Sequence, residues 1–183
     1  MGPRLRKLML TTHLVVAVGW IGAVIAYLAL DVAAVTDPGS ETSRAAWAAM
    51  QLTAETVLVP LALASLVTGL VMALGTPWGL FRHYWVVISL VLTTFAATVL
   101  ILHMSDLRAM AQSGRSAEGH GSGSGTHASA NAARGDFLHA GGGLVVLLAV
   151  TVLNVYKPRG LTPYGWRRRF GSPDARRGGA PEA

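Results

Sequence analysis

Residues 8–30 read LMLTTHLVVAVGWIGAVIAYLAL, an apolar run broken by one imidazole, His13. A helix needs roughly 20 such residues to cross the ~30 Å hydrocarbon core of a bilayer, so this stretch is long enough to span one. Arg4, Arg6 and Lys7 precede it, as basic residues precede a signal peptide. A signal core, however, is only about 7–15 residues long, and the run is therefore read as a retained membrane helix.

Three more segments repeat the pattern, over 56–76, 84–103 and 137–156. The chain of 183 residues is 52% hydrophobic and only 13% charged, too little charge for an ordinary soluble domain of this size. The expectation is an all-α, polytopic membrane protein: a four-transmembrane-helix bundle over residues 1–157, followed by a basic tail over 158–183. No internal repeat is visible, which gives no basis for a transporter built from inverted halves.

Charge sets the orientation, because Lys and Arg are retained on the cytoplasmic side during insertion. With both termini inside, eleven of the fifteen Lys and Arg fall on the inner side, and seven of the nine acids, Asp136 among them, fall outside. This N-in/C-in arrangement in the cell membrane makes the net charge of +6 a topology signal rather than a nucleic-acid footprint. The lipid bilayer is the expected partner, and no nucleic acid is.

Connections follow from composition. TDPGSETS (36–43) is turn-forming, and a helix resumes near Ser43. Pro60 removes one backbone donor and clashes with the carbonyl of Thr56, which predicts a kink beside Glu55. The aromatic turn of Trp78, Phe81, Tyr84 and Trp85 has the composition of a membrane boundary. Residues 105–135 are rich in Gly, Ser and Ala and read as a flexible outer loop carrying His120 and His127.

Cysteine is absent, which removes thiolate nucleophiles and iron–sulfur sites and leaves His, Asp, Glu and Met as ligands. At 100° per residue His13, Trp20, Tyr27 and Asp31 lie near one line along the first helix, beside a small-residue seam of Gly19, Ala23 and Ala26. Lipid satisfies neither an imidazole nor a carboxylate, so this stripe faces protein, while the seam permits a homo-oligomer. His13 then serves either as part of a ligand or proton site or as polar glue between helices.

At the outer end Asp31, Glu55, His103 and His139 converge in depth, one from each span. Gly142 and Gly143 leave a bare surface one turn below His139, and Val99, Ala96, Leu92 and Ser89 lie below His103. A planar cofactor fits between the two histidines, and neutral imidazoles are standard axial ligands of haem. His103, His139 and His13 are thus the candidate cofactor residues, with haem b the candidate cofactor. Asp31, Glu55 and Tyr27 are candidates for a proton or metal site.

LTTHLVVAVGWIGAV (10–24), VPLALASLVTGLVMALGTPWGLFRHYWVVISLVLT (59–93) and HAGGGLVVLLAVTVLNVYKPRGLTPYG (139–165) together resemble an uncharacterised family of predicted bacterial integral membrane proteins, common in actinobacteria. The arrangement is more distantly similar to the copper-resistance D membrane domain and to the four-helix membrane protoporphyrinogen oxidase, through His13, Gly19, Trp20 and Gly22. The oxidase resemblance implies haem b and a lysine on a later helix, where this chain has Ser89. The copper resemblance implies copper handling, for which the outer ends offer only Met104 and Met110 as soft ligands.

Three functions remain open at this level: a haem protein for electron transfer or haem handling, a proton-coupled or metal transporter, and a structural or regulatory protein with no cofactor. Whether the chain is an enzyme is open with them.

Overall fold

A computed structural model describes residues 2–37, 40–75, 83–116 and 125–156, together with Thr162 and Trp166. The described residues are all-helical, in the order α1 (Pro3–Thr36), α2 (Glu41–Thr53), a π-helical turn (Ala54–Leu58), α3 (Val59–Gly75), α4 (Tyr84–Ser116) and α5 (Gly125–Tyr156). Pro38, Gly39, most of the aromatic turn, His120 and nearly all of the basic tail lie outside the described residues.

Four helices are long and apolar enough to cross a membrane: α1, the continuous Glu41–Gly75 helix, and the stretches Tyr84–Ser105 and Gly135–Tyr156. Their surface supports the same reading. Leu14, Val18, Val67, Leu74, Val91, Phe95, Leu102, Val145 and Val155 are exposed, whereas Asp31, Ser43, Ser65, Ser89 and Asp136 are buried. A bundle that turns large apolar side chains outward and carboxylates inward suits a surrounding solvent that is itself apolar. These features are those of a multi-pass membrane protein.

Pro3 opens α1 in the first turn, where its missing N–H has no intrahelical partner to lose. One face of α1 buries Trp20, Val24, Tyr27, Asp31 and Ala34, spaced by three and four residues. The predicted stripe is therefore turned inward at Trp20, Tyr27 and Asp31, with His13 half-buried. Of the small-residue seam, Gly19 and Ala26 stay exposed and Ala23 is half-buried.

Ser40 caps α2, its hydroxyl accepting from the Ser43 amide at 3.1 Å. Ser43 in turn donates to the Ala34 carbonyl at 2.6 Å, satisfying one acceptor in the last turn of α1. The disruption expected from Pro60 takes the form of the π-turn just before it. Residues 54–58 widen by one residue, and the Val59 amide donates to the Ala54 carbonyl, five positions back.

The stretch 105–135, read from composition as loop, is helical at both ends: α4 continues to Ser116 and α5 begins at Gly125. Alanine supports these extensions, and neighbouring helix propagates into them at little cost. α1 packs on α2, α3 and α5, and α4 packs on the same three. α1 and α4 thus lie diagonally across the bundle, with the space between them closed by Leu58 of the π-turn and by α5.

Candidate functional site

Across that diagonal lies a cavity of about 350 Å³. α1 supplies Trp20, Val24 and Tyr27, α4 supplies Phe95, Ala96, Val99 and His103, and α5 supplies Asp136, His139, Gly142 and Gly143. Most of this wall is hydrocarbon. Its polar groups gather at one end, and they form one network.

Asp136 is the centre of that network and is 1% exposed. The Tyr27 hydroxyl donates to its two oxygens, Oδ1 and Oδ2, at 3.0 Å each. His103 Nε2–H donates to Oδ1 at 2.8 Å. A buried carboxylate is tolerated when its lone pairs are met by donors, and these come from α1 and α4 onto α5. The network therefore ties three helices together as well as shaping the site.

The His103 and His139 rings stack, with centroids 4.6 Å apart and planes 13° from parallel. His139 Nδ1 lies 2.6 Å from the Gly135 carbonyl, an acceptor only, so Nδ1 carries the proton and Nε2 holds the lone pair. His139 itself is exposed, at the cavity's edge.

This arrangement bears on the haem expectation. An imidazole ligates through a lone pair in its ring plane, so two axial ligands of one iron point at each other from opposite sides of a porphyrin. Parallel rings stacked face to face leave no such space, and His103 Nε2 is engaged by Asp136. The residues present do not fit bis-histidine ligation by His103 and His139. They do fit a single axial ligand, His139, whose protonated Nδ1 is held by a carbonyl as the second nitrogen of a metal-bound histidine commonly is.

Asp31 lies one turn beyond Tyr27 on the same buried face of α1. It is 0% exposed, and neither carboxylate oxygen has a hydrogen-bond partner among the described residues. It is close enough to Asp136 and Tyr27 to act on both electrostatically.

Two of the expected site residues stand apart. His13 is about 21 Å from Tyr27 along α1 at 1.5 Å per residue, towards the opposite end of the bundle. Its Nδ1 lies 2.9 Å from Thr68 Oγ1 on α3. Thr68 spends its one proton on the Ala64 carbonyl at 2.7 Å, so His13 is the donor. The imidazole lies over Gly69, where an added Cβ would sit 3.2 Å from Cε1. This is interhelical glue, and among the described residues His13 pairs with no other histidine. Glu55 meets Arg108 Nε at 2.8 Å and Gln51 at 3.3 Å on the bundle's surface, away from the cavity.

Among the described residues no group of three or more His, Asp or Glu side chains is arranged to hold a metal ion. Asp136, the residue on which the site turns, is absent from the sequence-based candidates. Its signal was the spacing of Asp136, His139 and Gly143, which share one face of a helix that starts before the hydrophobic run.

Compared with known proteins, the chain matches no family model, no curated protein and no solved structure.

Proposed function

We propose that this chain is a multi-pass protein of the cell membrane, N-in/C-in, that takes an apolar-bodied small molecule into the cavity between α1, α4 and α5 and handles a proton at its polar end. The observation that carries this reading is Asp136, buried at the head of an otherwise apolar cavity and hydrogen-bonded by Tyr27 and His103. Ligand sites commonly combine apolar walls with a few convergent polar groups, and ionisable groups within spans mark ion or proton pathways. Phe95 and Leu138, exposed on the bundle surface at the cavity wall, supply an approach from the lipid side.

The chemistry of the three groups fits proton exchange. The Asp136 carboxylate and the His103 imidazole meet through Nε2 and both line the cavity, so a proton can pass between them and a bound ligand. Tyr27 keeps the carboxylate fixed. Trp20 and Val24 keep water from the ligand's apolar part.

The test uses the full chain in lipid nanodiscs and the neutral flat dye Prodan. Its fluorescence is expected to shift on binding to the wild type and not with Gly143→Leu, which fills the cavity where an added Cβ has open space. Asp136→Asn is expected to weaken binding. Equal binding by wild type and Gly143→Leu would overturn the reading.

A second reading has its own support in the His139 tautomer. With Nδ1–H held by Gly135, Nε2 is the nitrogen that would hold the iron of haem b, beside the bare Gly142–Gly143 surface. Bound there, haem would supply one-electron redox chemistry. Purified protein from haem-supplemented cells is then expected to carry a haem spectrum that His139→Ala loses and His13→Ala keeps.

A further inference from the structure

We propose that the cavity's ligand is a lipophilic cation, an amine or onium head on an apolar body, and that it binds in exchange for one proton from Asp31. The inference rests on the ligand-pocket reading above and adds the charge of the occupant.

Two carboxylates are fully or almost fully buried: Asp136 in the cavity wall, and Asp31 outside the wall, one turn beyond the lining residue Tyr27 on α1. His103 provides positive charge for Asp136 when protonated, through the 2.8 Å contact. Nothing among the described residues does the same for Asp31, whose two oxygens also lack hydrogen-bond donors. An ionised carboxylate so placed is unstable in apolar surroundings, and it holds a proton until another positive charge arrives.

The groups facing this end are few. α1 contributes Tyr27, with Asp31 buried one turn behind it, α4 contributes His103, and α5 contributes Asp136 and His139. The long second helix turns Met50, Ala54 and Leu58 inward, keeps Glu41 and Arg44 exposed, and carries Glu55 on the surface with Arg108. Among the described residues no Lys or Arg lines the cavity. An anionic ligand would meet one carboxylate and the field of a second, whereas a cation beside Asp136 relieves both.

The exchange balances as written: protonated Asp31 and free cation become ionised Asp31 with the cation in the cavity, and one proton passes to water. Affinity for a cation bound this way rises about tenfold per pH unit while Asp31 is protonated, and levels off above that range. Asp31 itself need not touch the ligand.

The experiment compares tetraphenylphosphonium with tetraphenylborate, two ions of like shape and opposite charge, on the full chain in nanodiscs at several pH values. Expected are binding of the phosphonium at least tenfold tighter than the borate, release of about one proton per cation in weakly buffered solution, and loss of both the release and the pH slope in Asp31→Asn. Asparagine mimics the protonated acid in shape and charge, so this variant keeps the resting packing; its melting profile checks that.

If the phosphonium binds and Asp31→Asn retains the slope, the assignment of the proton to Asp31 is overturned. If the borate binds as well as the phosphonium, and Gly143→Leu blocks both, the charge inference falls and the pocket stands. If neither ion nor Prodan binds the wild type, the pocket falls with it.

Discussion

The imidazoles of His103 and His139 lie face to face, 4.6 Å between centroids and 13° from parallel, on two different helices. The stack places one ring that is held by a carboxylate against one that is held by a carbonyl. Only the second has an edge on the surface of the bundle.

The stack predicts a spectroscopic difference. Any haem retained by the protein is expected to have one histidine ligand and therefore to lack the sharp reduced bands of a bis-imidazole haem. His103→Ala is expected to leave haem bound. A low-spin bis-histidine spectrum abolished by His103→Ala would contradict the arrangement.

Asp136 makes a second prediction, about stability. Asp136→Leu leaves the Tyr27 hydroxyl and the His103 N–H buried without acceptors, at a cost of about 3 kcal/mol. Tyr27→Phe removes one donor while His103 still serves the carboxylate, and costs about 1 kcal/mol. Made in the Asp136→Leu background, Tyr27→Phe is expected to stabilise, since it removes an orphaned hydroxyl. Unfolding in mixed micelles measures all three.

Gly69 offers a third test, distant from the cavity. A Cβ added there would lie 3.2 Å from His13 Cε1, so Gly69→Ala pushes the imidazole away from Thr68. A loss of about 1–2 kcal/mol is expected, from crowding and from the broken hydrogen bond. In a His13→Ala background the same substitution is expected to be neutral or stabilising, because alanine is the better helix former. Ligand binding is unaffected in either case.

Glu55→Gln is the control. The Glu55–Arg108 pair is on the surface, where such pairs contribute little, so the melting temperature and the ligand affinity are expected to stay at wild-type values. A large effect on either would move Glu55 back into the site.

How much of this could be read from the residues depends on which interactions are periodic. The four spans follow from runs of apolar side chains, and the burial of Trp20, Tyr27 and Asp31 follows from their repeat along one helix. Gly142, Gly143, Ala96 and Val99 were legible as a bare surface for the same reason. Glu55 was expected beside Asp31, His103 and His139, whereas it meets Arg108 and Gln51 outside the cavity, since depth along a helix says nothing of the direction a side chain takes.

Asp136 was missed for a different reason. Counting the span from its first apolar residue, Phe137, put the acid in a loop, although α5 begins at Gly125 and holds it firmly within helix. The partner of His13 was beyond reach as well. Thr68 is 55 residues away, and no local pattern specifies which helix faces which.

The π-turn at 54–58 has a consequence for how this chain tolerates length change. Such a turn is an α-helix holding one residue too many, and the surplus is taken up locally. Met50 on one side of it and Ala62 and Ser65 on the other are all buried, so the two halves of the helix keep a common inward face. In regular α winding the twelve residues from Met50 to Ala62 would turn that face by about 120°, whereas eleven would turn it by only about 20°. Deleting one residue within 54–58 is therefore absorbed as a return to plain α-helix with Met50, Ala62 and Ser65 still inward, while the same deletion elsewhere in Glu41–Gly75 would turn one half of the face away.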